Sequence, residues 1–289
     1  MKVLLTGGDG FIARSLAEAF KDEYVVHAAN RKNLDLLNHQ AVLDYLKKHN
    51  FDVVIHTATY DAAPACSTKD PTKVLESNLK MFFNIARARE YFGKLIYFGS
   101  GAEFSREHWI PKMNESYFDQ HVPEDQYGFS KYLMTKFTQT SLSFYNLRLF
   151  GLFGKYDDWR YRFIPSACRN AVLDLPLTIK KNGIFDFMYI DDLVAIVKIF
   201  IQNKPRNHVY NICTGTTYDL RTLAEKIKII SGKNLEILTT EPGVNKEYSG
   251  DNAALIQEFP GIKFTKIDEA ITKLYHWYQL NQHHITKTI

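Results

Sequence analysis

Along the first half of the chain, short apolar runs alternate with segments whose apolar residues recur at helical spacing. KVLLT is followed by FIARSLAEAF, EYVVHAA by QAVLDYLKKH, and DVVIHTA by the long TKVLESNLKMFFNIARARE, before KLIYFGS. Strands alternating with helices of this length predict βαβ units and a parallel sheet. Further on, YGFSKYLMTKFTQTSL reads as another helix and SFYNLRLFG as another strand. From about Tyr156 to Asp186 the chain mixes Trp, Arg, Pro and Gly around one helical stretch, FIPSACRNAVL, and FDFMYIDDLVAIVKIFI then returns to a strand and a helix. After VYNICTG the pattern becomes α then β, closing on the helix IDEAITKLYHWYQL. No repeat or low-complexity linker separates two halves. The expected fold is therefore α/β: a Rossmann-type doubly wound parallel sheet with a smaller, interlocked C-terminal α/β lobe. Residues 1–155 with about 186–213 are expected to form the dinucleotide-binding domain, and about 156–185 with 214–289 the substrate-binding lobe.

Composition narrows the class. The 289 residues are 45% hydrophobic and 24% charged, as in soluble globular proteins, and no apolar run approaches the roughly 18 residues of a membrane span. The opening MKVLLTGG is too short for a signal-peptide core, so a cytoplasmic protein without membrane contact is expected. Cys66, Cys168 and Cys213 are odd in number and form no CxxC pair, which supports neither a disulfide framework nor a metal site and predicts buried thiols. The net charge of +4 comes from Lys and Arg spread along the chain. It fits an anionic ligand but lacks the clustered footprint of a nucleic-acid binder. The closing HHITKTI suggests no function.

Three short patterns carry chemistry. Thr6-Gly7-Gly8-Asp9-Gly10-Phe11-Ile12-Ala13 follows the first strand and opens the first helix, and Gly8, Gly10 and Ala13 satisfy G-x-G-x-x-G/A. Such a turn lets the backbone approach a pyrophosphate, whose charge then meets the helix N-terminus. About 20 residues on, an NAD site would offer an acid to the ribose. This chain has Asn30-Arg31-Lys32 there, which either accepts a 2′-phosphate or forms a solvated basic turn, and Asp35 is the next candidate, facing adenine or capping a turn. In Tyr127-Gly128-Phe129-Ser130-Lys131 the Tyr and Lys lie on one helix face, where the ammonium is expected to lower the phenol pKa and make Tyr127 an acid/base near neutral pH. Ser100, ending a fourth strand, would hold the substrate oxygen.

Taken together these residues resemble the extended short-chain dehydrogenase/reductase superfamily, in its NAD-dependent epimerase/dehydratase group acting on nucleotide sugars. The resemblance spans nearly the whole chain. It rests on TGGDGFIA, DVVIHTAT, Asn78 in ESNLKMFFN, FGSGAEF, YGFSK, NLRLFGLFG and FDFMYIDDLV, in the family's order. It implies a Ser100, Tyr127, Lys131 triad. It also implies cofactor contacts at Gly7, Gly10, Phe11, Ile12, Asp35, Thr57 and Ala58, with a nucleotide sugar under the C-terminal lobe; Arg31, Lys32, Leu36, Thr59, Asn78, Tyr127 and Lys131 are further cofactor-side candidates. Glu103, Arg160, Arg162 and Arg169 are the substrate-side candidates. The helices holding Asn78 and Tyr132 resemble those that form a homodimer interface, although Met81, Phe82, Phe83 and Ile85 also suit a core.

Departures from the family pattern narrow the activity. Gly101-Ala102 after Ser100 replace the Asp-Glu of the dehydratases. Ala102 and Arg162 stand where the GDP-fucose synthase type has the Cys and His of its epimerisations. Phe185 stands where an Arg usually meets the diphosphate, and Gly151 replaces an Asn. The expected activity is NADP(H)-dependent reduction of a 4-keto-sugar nucleotide with Tyr127 as acid. The alternatives are a 4-epimerase that retains NAD(H), then a dehydratase, or a cofactor sensor without turnover.

Overall fold

The computed structural model describes residues 1–62 and 67–286. One sheet holds six strands in the order β2-β1-β3-β4-β5-β8, every neighbouring pair parallel. These are β1 (Lys2–Thr6), β2 (Val25–Ala29), β3 (Phe51–His56), β4 (Phe92–Ser100), β5 (Phe144–Leu149) and β8 (Val209–Ile212). The interior strands are apolar almost without a break; Val3, Leu4 and Leu5 are fully buried, as are Val54, Ile55, Leu95 and Ile96. A parallel sheet covered on both faces requires such runs. The covering helices are α1 (Phe11–Phe20), α2 (His39–His49), α3 (Val74–Arg87), α4 (Gln126–Gln139) and α6 (Ile190–Gln202).

A second, smaller sheet follows the order β10-β7-β6, with β9 antiparallel to β7. It is built from β6 (Gly151–Phe153), β7 (Leu177–Tyr189), β9 (Thr217–Asp219) and β10 (Ile237–Tyr248), and packs with α5 (Phe163–Val172), α7 (Leu220–Ser231) and α9 (Ile267–Leu280), whereas α8 (Ala253–Glu258) lies against β8 of the first sheet. The segment SFYNLRLFG, expected as one strand, therefore divides. β5 ends at Leu149 in the first sheet, and after Phe150 the chain enters β6 of the second.

Helix ends explain where the site forms. Asp125 caps α4 by accepting from Gly128 N at 2.8 Å, so Tyr127 enters in the first helical turn. Asp219 and Asn38 cap α7 and α2 in the same way. Helix α1 differs, because Gly10 offers no side-chain cap and no acid lies in its first turn. Cys168 and Cys213 are buried free thiols, whereas Cys66 lies outside the described residues. Among the described residues no helix is long and apolar enough to cross a membrane. The C-terminal tail, to which the pattern assigned nothing, is anchored. Ile285 is fully buried, and the His284 carbonyl accepts from Trp159 Nε1 at 3.0 Å.

Candidate active site

The strand order reverses between the carboxyl ends of β1 and β3, where Thr6 lies beside His56, and β4 follows with Tyr97 beside His56. Ligands of open α/β sheets bind in this crevice. Gly7 has φ +65, and a Cβ there would lie 2.9 Å from Ala58 Cα. Only glycine serves, because the turn needs a left-handed residue and the β3 loop passes directly behind it. The Thr57 hydroxyl donates to Thr6 O at 2.6 Å and Ala58 N donates to Thr6 Oγ1, which locks the two loops together. With its first-turn amides uncapped, the N-terminus of α1 is left for an anion. This cradle fits the diphosphate of a dinucleotide.

The turn after β2 carries exposed Arg31 and Lys32. Asn30 shapes it by accepting from Lys32 N at 3.0 Å and donating to Asp9 at 3.2 Å. Among the described residues neither cation forms an ion pair with an acid. A third cation, Lys69, arrives from the loop after β3, and its pKa is lowered by burial, against the pull of Asp61, and by the Arg31 charge. Lys69 lies far from Arg31 in the chain and belongs to no motif, so only the fold reveals it. Asp35 is exposed and accepts from Leu37 N at 3.0 Å, while Leu36 is buried and its carbonyl accepts from Asn84.

Asn78 acts on the loop after β3. Its Oδ1 accepts from Tyr60 N at 2.7 Å and its Nδ2 donates to Tyr60 O at 3.1 Å and Ser130 Oγ at 3.3 Å, with Thr59 Oγ1 at 3.4 Å. The cofactor contact expected of this side chain does not fit these bonds, since its donors and acceptor already hold the loop.

Ser100 closes β4, and α4 sets Tyr127 and Lys131 beside it. Lys131 Nζ donates to Phe98 O at 2.8 Å and lies 5.7 Å from the Tyr127 ring centre. Burial pushes the Lys131 ammonium down to about 8, against the carboxylates of Glu103 and Asp61. The Tyr127 phenol is raised above its ordinary value by burial first, then by Tyr248 and Asp61, and a hydrogen bond with Ser100 acts in the opposite sense. This corrects the expectation that Lys131 lowers the phenol. The ammonium is turned toward a backbone carbonyl, and desolvation outweighs it. Raised in this way, Tyr127 is held protonated at neutral pH. Below them, His56 Nδ1 sits 2.9 Å from Thr6 Oγ1, and burial followed by the Lys131 charge pushes the imidazole down to about 3.

The substrate-side candidates separate. Glu103 is fully buried, accepting from Ser100 N at 3.0 Å, from Asn146 Nδ2 and from Arg148 Nε at 2.8 Å, with Arg148 equally buried. The substrate contact expected of Glu103 does not fit, because no face of its carboxylate reaches the cleft; it supports Ser100 from behind. Arg169 is likewise engaged, donating to Ile285 O at 2.9 Å and lying 4.1 Å over the Trp159 ring. Its expected substrate contact is replaced by anchoring the C-terminal tail. Arg160 forms a bidentate pair with Asp158. Together they line an open groove of about 660 Å³ beside Asp9, Phe11 and Arg14. Arg162 alone of the three arginines reaches the centre. It is exposed at the start of α5, stacks on Tyr161 at 4.9 Å, and its charge lowers both Tyr127 and Tyr248.

Tyr248, from β10, was not signalled by any motif. Its hydroxyl lies 3.4 Å from Ser100 Oγ. Its ring contacts Trp109 at 4.3 Å and Phe150 at 5.3 Å, and its register partner across the second sheet is Phe185. The missing arginine at Phe185 is thus replaced by a member of an aromatic wall.

Comparison with known proteins places the chain in a family. The profile of the NAD dependent epimerase/dehydratase family matches residues 3–213. The chain is 25% identical over 258 residues to a GDP-L-colitose synthase of Yersinia pseudotuberculosis, covering 80% of this chain and 81% of that protein. It is 24% identical over 297 residues to a GDP-6-deoxy-D-talose 4-dehydrogenase of Aggregatibacter actinomycetemcomitans, covering 95% and 97%. Its fold is similar to that of a GDP-mannoheptose C4 reductase from Campylobacter jejuni with NADP bound, with a TM-score of 0.83, 22% identity and coverage of 96% and 98%.

Proposed function

The chain belongs to the NAD dependent epimerase/dehydratase family, and on that premise we propose that it is an NADP(H)-dependent reductase of a nucleotide-linked 4-keto sugar. The observation that carries the cofactor choice is the cationic corner beyond β2, where exposed Arg31 and Lys32 and nearby Lys69 surround the place in which an NAD site has an acid. A 2′-phosphate would be held there, and the diphosphate by the amides opening α1. When bound, the nicotinamide supplies the hydride. This chain's residues do the rest. Ser100 and Tyr127 hold the keto oxygen, and Tyr127, kept protonated by burial, gives it the proton. Lys131, fixed by Phe98 O, keeps two donors for the cofactor ribose. Exposed Arg162 is the cation best placed for the substrate diphosphate that Phe185 does not bind. The guanosine nucleotides named for the three relatives support a GDP-sugar as the first probe. Partly exposed Met81 and Phe83 on α3, beside α4, support a homodimer, which sedimentation would test.

Calorimetric titration of NADPH and NADH tests the cofactor choice. NADPH is expected to bind at least tenfold more tightly, since each charge-assisted phosphate contact contributes about 1.5 to 3 kcal/mol, less where the side chains stay solvated. Arg31→Ala should remove most of that gap while barely changing NADH affinity. Equal affinities, or NAD retained through purification, would replace the reductase by a 4-epimerase. A melting-temperature screen of GDP, UDP, dTDP and CDP that gives no shift would count against a nucleotide-sugar substrate.

A further inference from the structure

We infer that Tyr248 is a positioning residue of the catalytic centre, which sets the direction of the Ser100 hydroxyl proton. The inference rests on the reading of Ser100 and Tyr127 given above and extends it to the second lobe.

Tyr248 reaches Ser100 across 148 residues because both chains make room for it. A Cβ on Gly101, the residue after Ser100, would lie 2.7 Å from Tyr248 Cε2, 2.8 Å from its hydroxyl and 2.8 Å from Phe150 Cε1. A Cβ on Gly250, two residues after Tyr248, would lie 2.4 Å from the Phe150 ring. Two glycines therefore admit two aromatic rings at the edge of the catalytic serine. Trp109 closes the other side, donating from Nε1 to Gly101 O at 3.1 Å.

The hydrogen-bond inventory gives the packing a consequence. Ser100 Oγ has one proton and two lone pairs. Its accepting side faces the capping turn, where Ala102 N donates at 3.2 Å and the Glu103 backbone N–H completes the capping box. The Tyr248 hydroxyl lies 3.4 Å from Ser100 Oγ and 3.5 Å from Leu149 O, two long contacts instead of one normal bond. Two arrangements satisfy these partners. In one, Tyr248 donates to Leu149 O and Ser100 donates to Tyr248, so the serine proton is spent. In the other, Tyr248 donates to Ser100, whose oxygen then accepts on both the capping side and the Tyr248 side, and the serine proton is left to point outward, toward the Tyr127 hydroxyl or a ligand. A substrate keto oxygen accepts but cannot donate, so it selects the second arrangement. Tyr248 thereby makes Ser100 a donor toward the reacting oxygen, next to Tyr127, whose phenol it also helps to hold protonated.

The test is a double-mutant cycle with Ser100→Ala and Tyr248→Phe, following NADPH oxidation with a GDP-linked 4-keto-6-deoxyhexose. Tyr248→Phe keeps the ring that fills the Gly101 notch, and its folding is checked by melting temperature and NADPH affinity. Losing one neutral hydrogen bond should lower kcat by roughly three- to tenfold with little change in KM. In the Ser100→Ala background the same change should cost nothing further, because there is no serine proton to direct. Equal losses in both backgrounds would mean that Tyr248 acts by packing or on its own, and would overturn the inference while leaving Ser100 in place. Full activity of Ser100→Ala, or a wild type inert toward this sugar, would overturn the catalytic reading and the role of Tyr248 with it.

Discussion

Replacing Glu103 by Gln changes one atom in a site with no solvent to absorb the change. The Glu103 and Arg148 side chains are both 0% exposed, paired at 2.8 Å. One carboxylate oxygen accepts from Ser100 N and both lie within reach of Asn146 Nδ2. A Gln amide must therefore aim its NH₂ at a donor in either orientation, toward Ser100 N–H in one and toward Arg148 Nε–H in the other. The guanidinium would lose the only carboxylate it pairs with among the described residues while wedged 4.3 Å from the Phe104 ring and 5.2 Å from that of Phe118. Its Nη2 already has no hydrogen-bond partner among the described residues. Removing one member of a buried pair costs about 3 to 5 kcal/mol, which corresponds to a fall in melting temperature of roughly 10 °C in a chain of this size. Replacing both members, as in E103V with R148M, removes the unpaired guanidinium and should recover part of the loss, with Ser100 N, Asn146 Nδ2 and Asn211 Oδ1 each left short of a partner. Urea denaturation with a constant slope gives both numbers. A loss under about 1 kcal/mol for E103Q, or a double variant weaker than the single one, would refute the view that this pair is a dry, fully desolvated unit.

Tyr127→Phe should keep cofactor affinity and lower turnover by about 10²- to 10⁴-fold, measured by NADPH oxidation; undiminished turnover would remove Tyr127 from the chemistry. Lys131 is held down to about 8 from 10.5 by burial, so the folded state carries a penalty that is complete below pH 8 and relieved as pH rises toward 10.5. Lys131→Met should thus abolish turnover while the cofactor-free protein melts higher, and a lower melting temperature would contradict this. His56, pushed down to about 3, refuses a proton that the unfolded chain takes up below pH 6.5. Its share of stability should fall by about 2 kcal/mol between pH 7 and pH 5, and urea unfolding at the two pH values should show that share missing in His56→Gln.

What could be read along the chain was local, and what could not was the partner each side chain finds after folding. Period and run length suffice for the parallel sheet, because a strand covered on both faces must be apolar whatever it pairs with. The glycine turn, Ser100 and the Tyr127–Lys131 pair each complete their geometry within a few residues, so their spacing is visible in one dimension. Glu103 stands three residues after Ser100, where an acid has two possible partners, a substrate or a buried cation. The choice was made by Arg148 on the neighbouring strand β5, 45 residues away. Arg169 was claimed in the same way by Ile285, 116 residues on. Buried polar groups are decided by such long-range satisfaction, and composition gives no hint of it.

The same reasoning explains why the second lobe matters to chemistry built on the first. Ser100, Tyr127 and Lys131 all come from β4 and α4, and the cradle for the cofactor from β1 and α1. Nothing in that half explains why Gly101 follows the serine. The aromatic pair Phe150 and Tyr248 does explain it, since any side chain at 101 would collide with both rings. One ring lies where the chain passes from the first sheet to the second, and the other ends β10 opposite Phe185. Any displacement of the second sheet would therefore move the edge of Ser100 directly. Gly101→Ala should consequently lower turnover even though it adds only a methyl group to a residue with no reactive atom.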